Sequence, residues 1–376
     1  MGLFQPAWQS KNESKARNAV EKLTDHAELT RVAKEAKFEN VCMIAVGKLT
    51  DQTMLANVAK NAWNYNVRSE AVKRLTDQTM LADIAKNNKN PKTQKLAVER
   101  LFDQVALADV AKNDKDYAAG REAINKLTNQ AALADVAKNA YDYAMRCDAV
   151  NRLTDQAALA YIAKNDEHNF VRLAAVERLT DQAVLADVAK NDEHYDVRRE
   201  AVKRLTVTDQ ATLAYVAKND KDSQTRRDAI ERLTDQAALA DVAKNDMYSA
   251  VGSAVVKRLT EQSLLTNQSL LADVAVSAKD PMFRVIAAIR LADKARMNEI
   301  LFELIINKDT DKFVRRDAII ELTDKKMLGE IIGGDEASYF YAWEEEDYVS
   351  IDRYERKMFT EKLDIRETAR GRLSVL

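Results

Sequence analysis

Apolar positions in this chain fall into short helical stripes that come in pairs. In the stretch 197–205, Val197, Ala201, Val202 and Leu205 share one side of a 3.6-residue helix. In the stretch 156–165, Leu159, Ile162 and Ala163 repeat the i, i+3, i+4 pattern and mark a second apolar face. Thr154-Asp155-Gln156 stands at the start of that second stripe. Thr or Asp there caps a helix and places negative charge on its N-terminal dipole. Asn165-Asp166 supplies the stop and opens a loop. Each unit therefore predicts two helices of roughly ten residues, too short to be stable alone in water. They must stack on neighbours.

The unit recurs along almost the whole chain. Its marker leucine appears at Leu23, Leu49, Leu75, Leu101, Leu127, Leu153, Leu179 and Leu205, 26 residues apart each time. Leu233, Leu259, Leu291 and Leu322 follow at spacings of 28, 26, 32 and 31. Twelve such units give a solenoid, in which each repeat buries its apolar face only against the next. The breaks in period are a two-residue addition at Val207-Thr208, an insertion over Glu261–Gln268 and a longer unit through Met297–Lys308. They predict altered curvature after residue 260.

The phrase Asp-x-x-x-x-Val-Arg-x-x-Ala-Val-x-x-Leu, as in Asp192–Leu205 and Asp166–Leu179, resembles bacterial HEAT-like repeats. These include the repeats named after phycobilisome lyases. The Leu-Ala-x-Val-Ala-x-x-Asp half and the short period are also similar to the leucine-rich repeat variant. The resemblance covers residues 15 to about 335 and implies an all-α, right-handed α-α superhelix of about twelve short two-helix repeats. The domain reading that follows is an N-terminal cap segment over 1–14, the repeat solenoid over 15–334 and an acidic-aromatic helical cap over 335–376. Leucine-rich repeat variants can carry an iron–sulfur cluster on four cysteines, whereas this chain has only Cys42 and Cys147. In HEAT-like repeats the arginine of the Val-Arg pair forms a ladder with carboxylates and carbonyls. The resemblance implies the same here for Arg68, Arg146, Arg172, Arg198, Arg226, Arg284 and Arg315.

Charge narrows the function classes. Lys plus Arg number 58 and Asp plus Glu 60, a formal net charge of -2, which argues against a nucleic-acid-coating protein. Residues 335–352 carry seven acidic residues and no basic one, interleaved with Tyr339, Phe340, Tyr341, Trp343 and Tyr348. No run of 18 apolar residues exists to span a membrane, and the N-terminus lacks a basic n-region followed by an apolar h-region. The expected compartment is the cytoplasm.

By resemblance, the Val-Arg helices line the concave face. Their outward positions give a mixed, acid-leaning groove. The candidate partner-binding residues are Glu70, Lys73, Arg74, Leu96, Arg100, Glu122, Asp148, Arg152, Glu177, Arg178, Glu200, Lys203 and Arg204. Along one flank runs a basic row from Lys22 through Arg290, the best case for tracking a phosphate backbone. Pairing with nearby acids is the alternative for that row. The second helix carries Asp and Lys three apart, as in Asp83/Lys86, Asp109/Lys112 and Asp135/Lys138, expected to pair within their helix. Tyr161 and Tyr215 replace the Asp in two repeats. Tyr65, Tyr117, Tyr143 and Tyr195 fall before helix starts, the place of a hydrophobic staple.

Candidate chemistry is sparse. His168 and His194 stand in the same Asp-Glu-His phrase one repeat apart, so stacked loops would gather them with Asp166, Glu167, Asp192 and Glu193. Duplicated loop sequence facing water explains the same residues. No phosphate-binding glycine loop or nucleophile motif appears, so no catalytic residue, metal or cofactor is assigned. The expectation is a non-enzymatic scaffold for a protein partner that the sequence does not name. The alternative is a nucleic-acid-binding solenoid using the Lys/Arg row. Oligomeric state is open.

Overall fold

The computed structural model describes residues 6–113, 117–245, 268–333 and 365–376, with 251, 254–255 and 257–258 between them. Among the described residues there are 24 α-helices, one short 3-10 turn and no strand. The chain divides into two compact units, Met1–Leu185 and Ala186–Leu376.

Each repeat contributes an arginine-bearing helix, such as Tyr65–Arg74, and a glutamine-led helix, such as Gln78–Asn87. Most run ten residues, as the periodicity predicts. The glutamine-led helices are capped as their sequence demands. Asp51, Asp77 and Asp155 accept backbone N–H groups one helical turn on. That satisfies donors otherwise left orphaned at a helix start.

The marker leucine departs from the expectation that it closes a helical stripe. Leu49, Leu75 and Leu101 are C-cap residues in extended conformation, ψ 132, 136 and 140. The chain must leave the helix there so that Thr and Asp can reach the cap position of the next one. Each of these leucines is nonetheless fully buried. A leucine that deep is worth about 1.5–3 kcal/mol of burial.

The tightest hairpins join a glutamine-led helix to the arginine-bearing helix that follows it, as in Gln52–Asn61 with Tyr65–Arg74. Like helices also pack on like in adjacent repeats. Alanines make the close approach possible: Ala45, Ala71, Ala97, Ala123 and Ala149 on one helix type, and Ala59, Ala85, Ala111 and Ala137 on the other, are all buried. The longer unit after Leu291 is a longer helix, the 13-residue Lys294–Ile306. The expected insertion falls at 261–267, outside the described residues, and Gln268 opens the next helix.

The expected ladder of buried arginines is present. Arg146 donates to the carbonyls of Ala140 and Tyr141 at the end of the preceding helix and to the Asp166 carboxylate of the next repeat, at 2.9 and 3.1 Å. Arg198 does the same with Asp192, Glu193 and Asp220. Arg68 reaches Ala62, Trp63 and Thr93, and Arg315 reaches Ile305.

Two further described pieces pack on the repeats, the turn Ala7–Gln9 and the helix Ile365–Val375. Trp8 is buried, and its indole donates to Glu28 at 2.6 Å under the Arg31 guanidinium. Leu3 and Phe4 lie outside the described residues, as does the acidic-aromatic stretch 335–352. The helix Ile365–Val375 packs on Lys312–Glu321 and Lys325–Gly333. Its Arg372 donates to the carbonyl of Leu322 at 3.2 Å.

Candidate functional site

The basic row is the first feature the structure redefines. Arg74, Arg100, Arg152 and Arg178 donate to the carbonyls of Leu49, Leu75, Leu127 and Leu153, the marker leucines one repeat earlier, at 2.9–3.4 Å. In the second unit Arg232 and Arg258 reach Leu205 and Leu233 likewise. Lys48 and Lys126 span the same junction, to Val20 and Glu21 and to Val98 and Glu99. Arg204 stands at the same register and is also partnered. A helix end leaves four carbonyls without intrahelical donors, and cations there are favourable. The arginines of this row that reach those carbonyls therefore cap an arginine-bearing helix from the next repeat. Among the described residues Arg74, Arg100, Arg152 and Arg178 make these carbonyl bonds in place of the Asp pairing that the sequence also offered.

A second ladder runs beside it. Gln104 Oε1 accepts from the backbone N–H groups of Thr128 and Asn129, while its Nε2 donates to the Lys126 carbonyl. Gln52, Gln78, Gln130 and Gln156 hold the next repeat in the same way. Their position at the helix start carries the signal, since that residue is glutamine in nearly every unit.

The Asp and Lys residues of the glutamine-led helices pair between repeats, not within a helix. Lys60 bonds Asp83, Lys86 bonds Asp109, and Lys112 bonds Asp135 at 2.7 Å. Lys218–Asp241 and Lys244–Asp273 continue the pattern in the second unit. Where tyrosine replaces the Asp, the lysine lies over its ring: Lys138 over Tyr161 at 4.6 Å and Lys190 over Tyr215 at 5.6 Å. The two tyrosines thus substitute a cation–π contact for an ion pair.

Of the thirteen sequence candidates, Glu122, Asp148 and Arg152 come together. They line an open groove of about 500 Å³ on the arginine-bearing helices, with Lys95 and Arg121. Arg121 bonds Asp148 at 2.8 Å, and Lys95 approaches Glu122 at 3.9 Å. Glu70 and Leu96 are half-buried, and Lys73 and Glu177 are exposed. In the second unit Lys203 is exposed and lies 3.7 Å from Glu200 on the same helix.

A larger groove, about 680 Å³, lies on the glutamine-led helices of three successive repeats. Gln78, Ala82, Gln104, Val105, Asp109 and Ala132 are among the residues lining it. Sequence reasoning placed Asp109, Lys112 and Asp135 on these helices but assigned no groove to them. The available signal was the break from the repeat at Phe102 and Val105, where most other units carry Thr and Ala or Thr.

The aromatic row does not form buried staples. Tyr65, Tyr143 and Tyr195 are the first residues of their helices and stay exposed. Tyr143 stacks on His168 with ring centroids 4.0 Å apart, and Phe170 leans on both. Tyr117, with φ 68, donates its hydroxyl to Asp142 at 2.9 Å, and burial pushes that hydroxyl up to about 12.

The histidines act as helix caps. His168 Nδ1 accepts from Phe170 N–H at 3.4 Å and His194 Nδ1 from Asp196 N–H at 3.3 Å. Among the described residues no three His, Cys, Asp or Glu side chains gather as a metal site would require. Burial pushes the Cys42 and Cys147 thiols up to about 11, the reverse of an activated nucleophile. No described helix is long and apolar enough to cross a membrane.

No family model matches the chain, and no curated protein matches it. A crystal structure of importin beta is similar over 86% of this chain at 13% identity and a TM-score of 0.30. The chain spans 60% of the length of that importin beta. An engineered protein is similar over 79% of this chain and 94% of its own, at 19% identity and a TM-score of 0.10. The fold rests on the helix pairs and their ladders: the described residues form an α-solenoid of stacked two-helix repeats.

Proposed function

We propose that this chain is a non-enzymatic, cytoplasmic scaffold that binds another protein along its helix-lined surface. The observation that carries the reading is the groove of about 680 Å³ laid across three successive repeats. Its walls are preformed helices tied by the glutamine and Lys–Asp ladders, so a partner finds a surface already ordered. Preorganisation lowers the cost of binding, and stacked repeats are suited to extended contacts. On the arginine-bearing helices, Glu122, Asp148 and Arg152 offer a second, polar contact area. Closer kinship with the repeats named after phycobilisome lyases remains part of this proposal, as does use of the concave face. The terminal pieces, 1–14 and 335–376, act as caps in the same reading.

The nucleic-acid reading loses its main support, because the cations of the flanking row donate to helix carbonyls. A phosphate would have to compete with those bonds.

The test is affinity capture from native lysate at moderate salt, split into nuclease-treated and untreated halves. The reading predicts a stoichiometric protein that survives nuclease. Retained nucleic acid, with proteins lost on nuclease treatment, would overturn it.

A further inference from the structure

The repeat pattern is broken on the larger groove, and the break gives the fold nothing in return. At the first residue after the marker leucine, a threonine hydroxyl normally donates to the amide oxygen of the preceding repeat. Thr76 does so to Gln52 at 3.2 Å, Thr128 to Gln104 at 3.3 Å, Thr154 to Gln130 at 3.0 Å and Thr180 to Gln156 at 2.9 Å. In the second unit Thr323 uses Asn298 in the same way. Phe102 occupies this position in its repeat. Only its backbone N–H reaches Gln78 Oε1, at 2.9 Å, and its ring is 73% exposed. Three residues on, Val105 stands where neighbouring repeats carry Thr79 and Ala131, and it is 78% exposed.

One repeat thus gives up a hydrogen bond and shows water two large apolar side chains. Single exposed apolar groups are ordinary. Two of them on one helix start, beside the larger groove and at a site where the fold prefers a hydroxyl, are not explained by folding. Val105 lines the groove, and Phe102 directly precedes the lining residues Asp103 and Gln104. Small side chains, Ala82, Ala106 and Ala132, line the groove on the three helices and leave room for an incoming one.

Charge selects the occupant. Three aspartates, Asp103, Asp109 and Asp135, line the groove with one lysine, Lys112; Lys112 holds Asp135 and Lys86 of the preceding repeat holds Asp109, which leaves the charge of Asp103. Asp103 spends its carboxylate on the N–H groups of Val105 and Ala106 and has no ion pair among the described residues. We propose that this groove binds a basic amphipathic peptide segment of a partner protein. Its apolar side chains cover Phe102 and Val105, and a Lys or Arg of the segment faces Asp103, the groove aspartate not held by a lysine. Aromatic anchors of this kind carry much of the affinity at interfaces. The inference deepens the scaffold reading and rests on it.

The probe is a fluorescently labelled amphipathic peptide of leucine and lysine, read by anisotropy against the full chain. Matched leucine–glutamate and serine–lysine peptides serve as controls. The leucine–lysine peptide is expected to bind, the controls to bind at least about tenfold more weakly, and added salt to weaken the complex. In the double variant Phe102→Thr, Val105→Ala, affinity should fall about tenfold or more. The urea midpoint should hold or rise, since the new hydroxyl can reach Gln78. No binding by the wild type, equal binding by the leucine–glutamate peptide, or undiminished binding by the double variant would each overturn the proposal. So would a clear drop in the urea midpoint, which would make Phe102 a folding residue. The capture experiment separates the two levels. A partner still captured by the double variant removes this groove and leaves the scaffold. No stoichiometric partner for either chain removes the scaffold itself.

Discussion

Arg146 and Asp166 are both buried, each with 6% of its side chain exposed. Their two hydrogen bonds and the carbonyls of Ala140 and Tyr141 together satisfy the guanidinium. Removing one partner leaves the other as an uncompensated buried charge, which costs about 3–5 kcal/mol. Arg146→Ala should therefore lower the unfolding free energy by about that amount, read from urea denaturation. Arg146→Lys should recover only part of it, because an ammonium lacks the planar fork that matches a carboxylate. The recurrence of this arginine and the kind of partner it takes are legible from the sequence and its resemblance; which carboxylate it meets is not. Asp166 and Asp220 sit in loops one repeat away, and only stacking brings them to Arg146 and Arg198.

Among elements, the Lys–Asp ladder makes a prediction about pH. Hydrogen bonds from Lys60, Lys112 and Lys244 hold the carboxyls of Asp83, Asp135 and Asp273 below the ordinary carboxylate range. A carboxyl depressed in the folded state stabilises the fold above its unfolded value, about 3.9. That stabilisation is lost as pH falls through the lower folded values. Stability should thus decline in acid below about pH 4, and Asp83→Asn with Asp135→Asn should flatten that limb. Urea midpoints followed from neutral pH into acid check this; identical acid limbs would remove the ladder's part. These pairs are exposed, so each contributes little alone. The helices themselves were legible from the 3.6-residue stripes and the Asp caps. The pairing was not, because the spacing within a helix suggested a neighbour three residues away. A contact 23 residues away, Lys112 with Asp135, depends on how closely repeats stack. At Tyr161 the ladder becomes cation–π, so Tyr161→Asp should keep stability within about 0.5 kcal/mol by restoring an ion pair. A larger loss would show that the ring packs in its own right.

At the scale of the whole molecule, the period of 26 residues was enough to read an all-α stack. The last repeat was harder to see. Ala369 and Arg372 stand in the same relation as Ala71 and Arg74, and Arg372 caps Leu322 as Arg74 caps Leu49. The helix Ile365–Val375 thus behaves as one more arginine-bearing helix, separated from Lys325–Gly333 by residues 334–364. That separation breaks the period and hides the unit from sequence reading. The groove at Phe102 and Val105 was hidden for a different reason. A search for repeats rewards agreement, and these two residues matter through departure. The basic row misled in the opposite direction, since evenly spaced cations look like a phosphate rail until the carbonyls of the preceding repeat are placed beside them.

The central claim is that this row is part of the frame holding the repeats together. The most direct measurement is urea unfolding of the full chain carrying Arg178→Ala, whose wild-type guanidinium meets the Leu153 carbonyl at 2.9 and 3.0 Å. The account predicts a lower midpoint, with a loss of about 1–3 kcal/mol expected for a charged hydrogen bond to a helix end. An unchanged midpoint would contradict it, and would return the row to solvent and to phosphate.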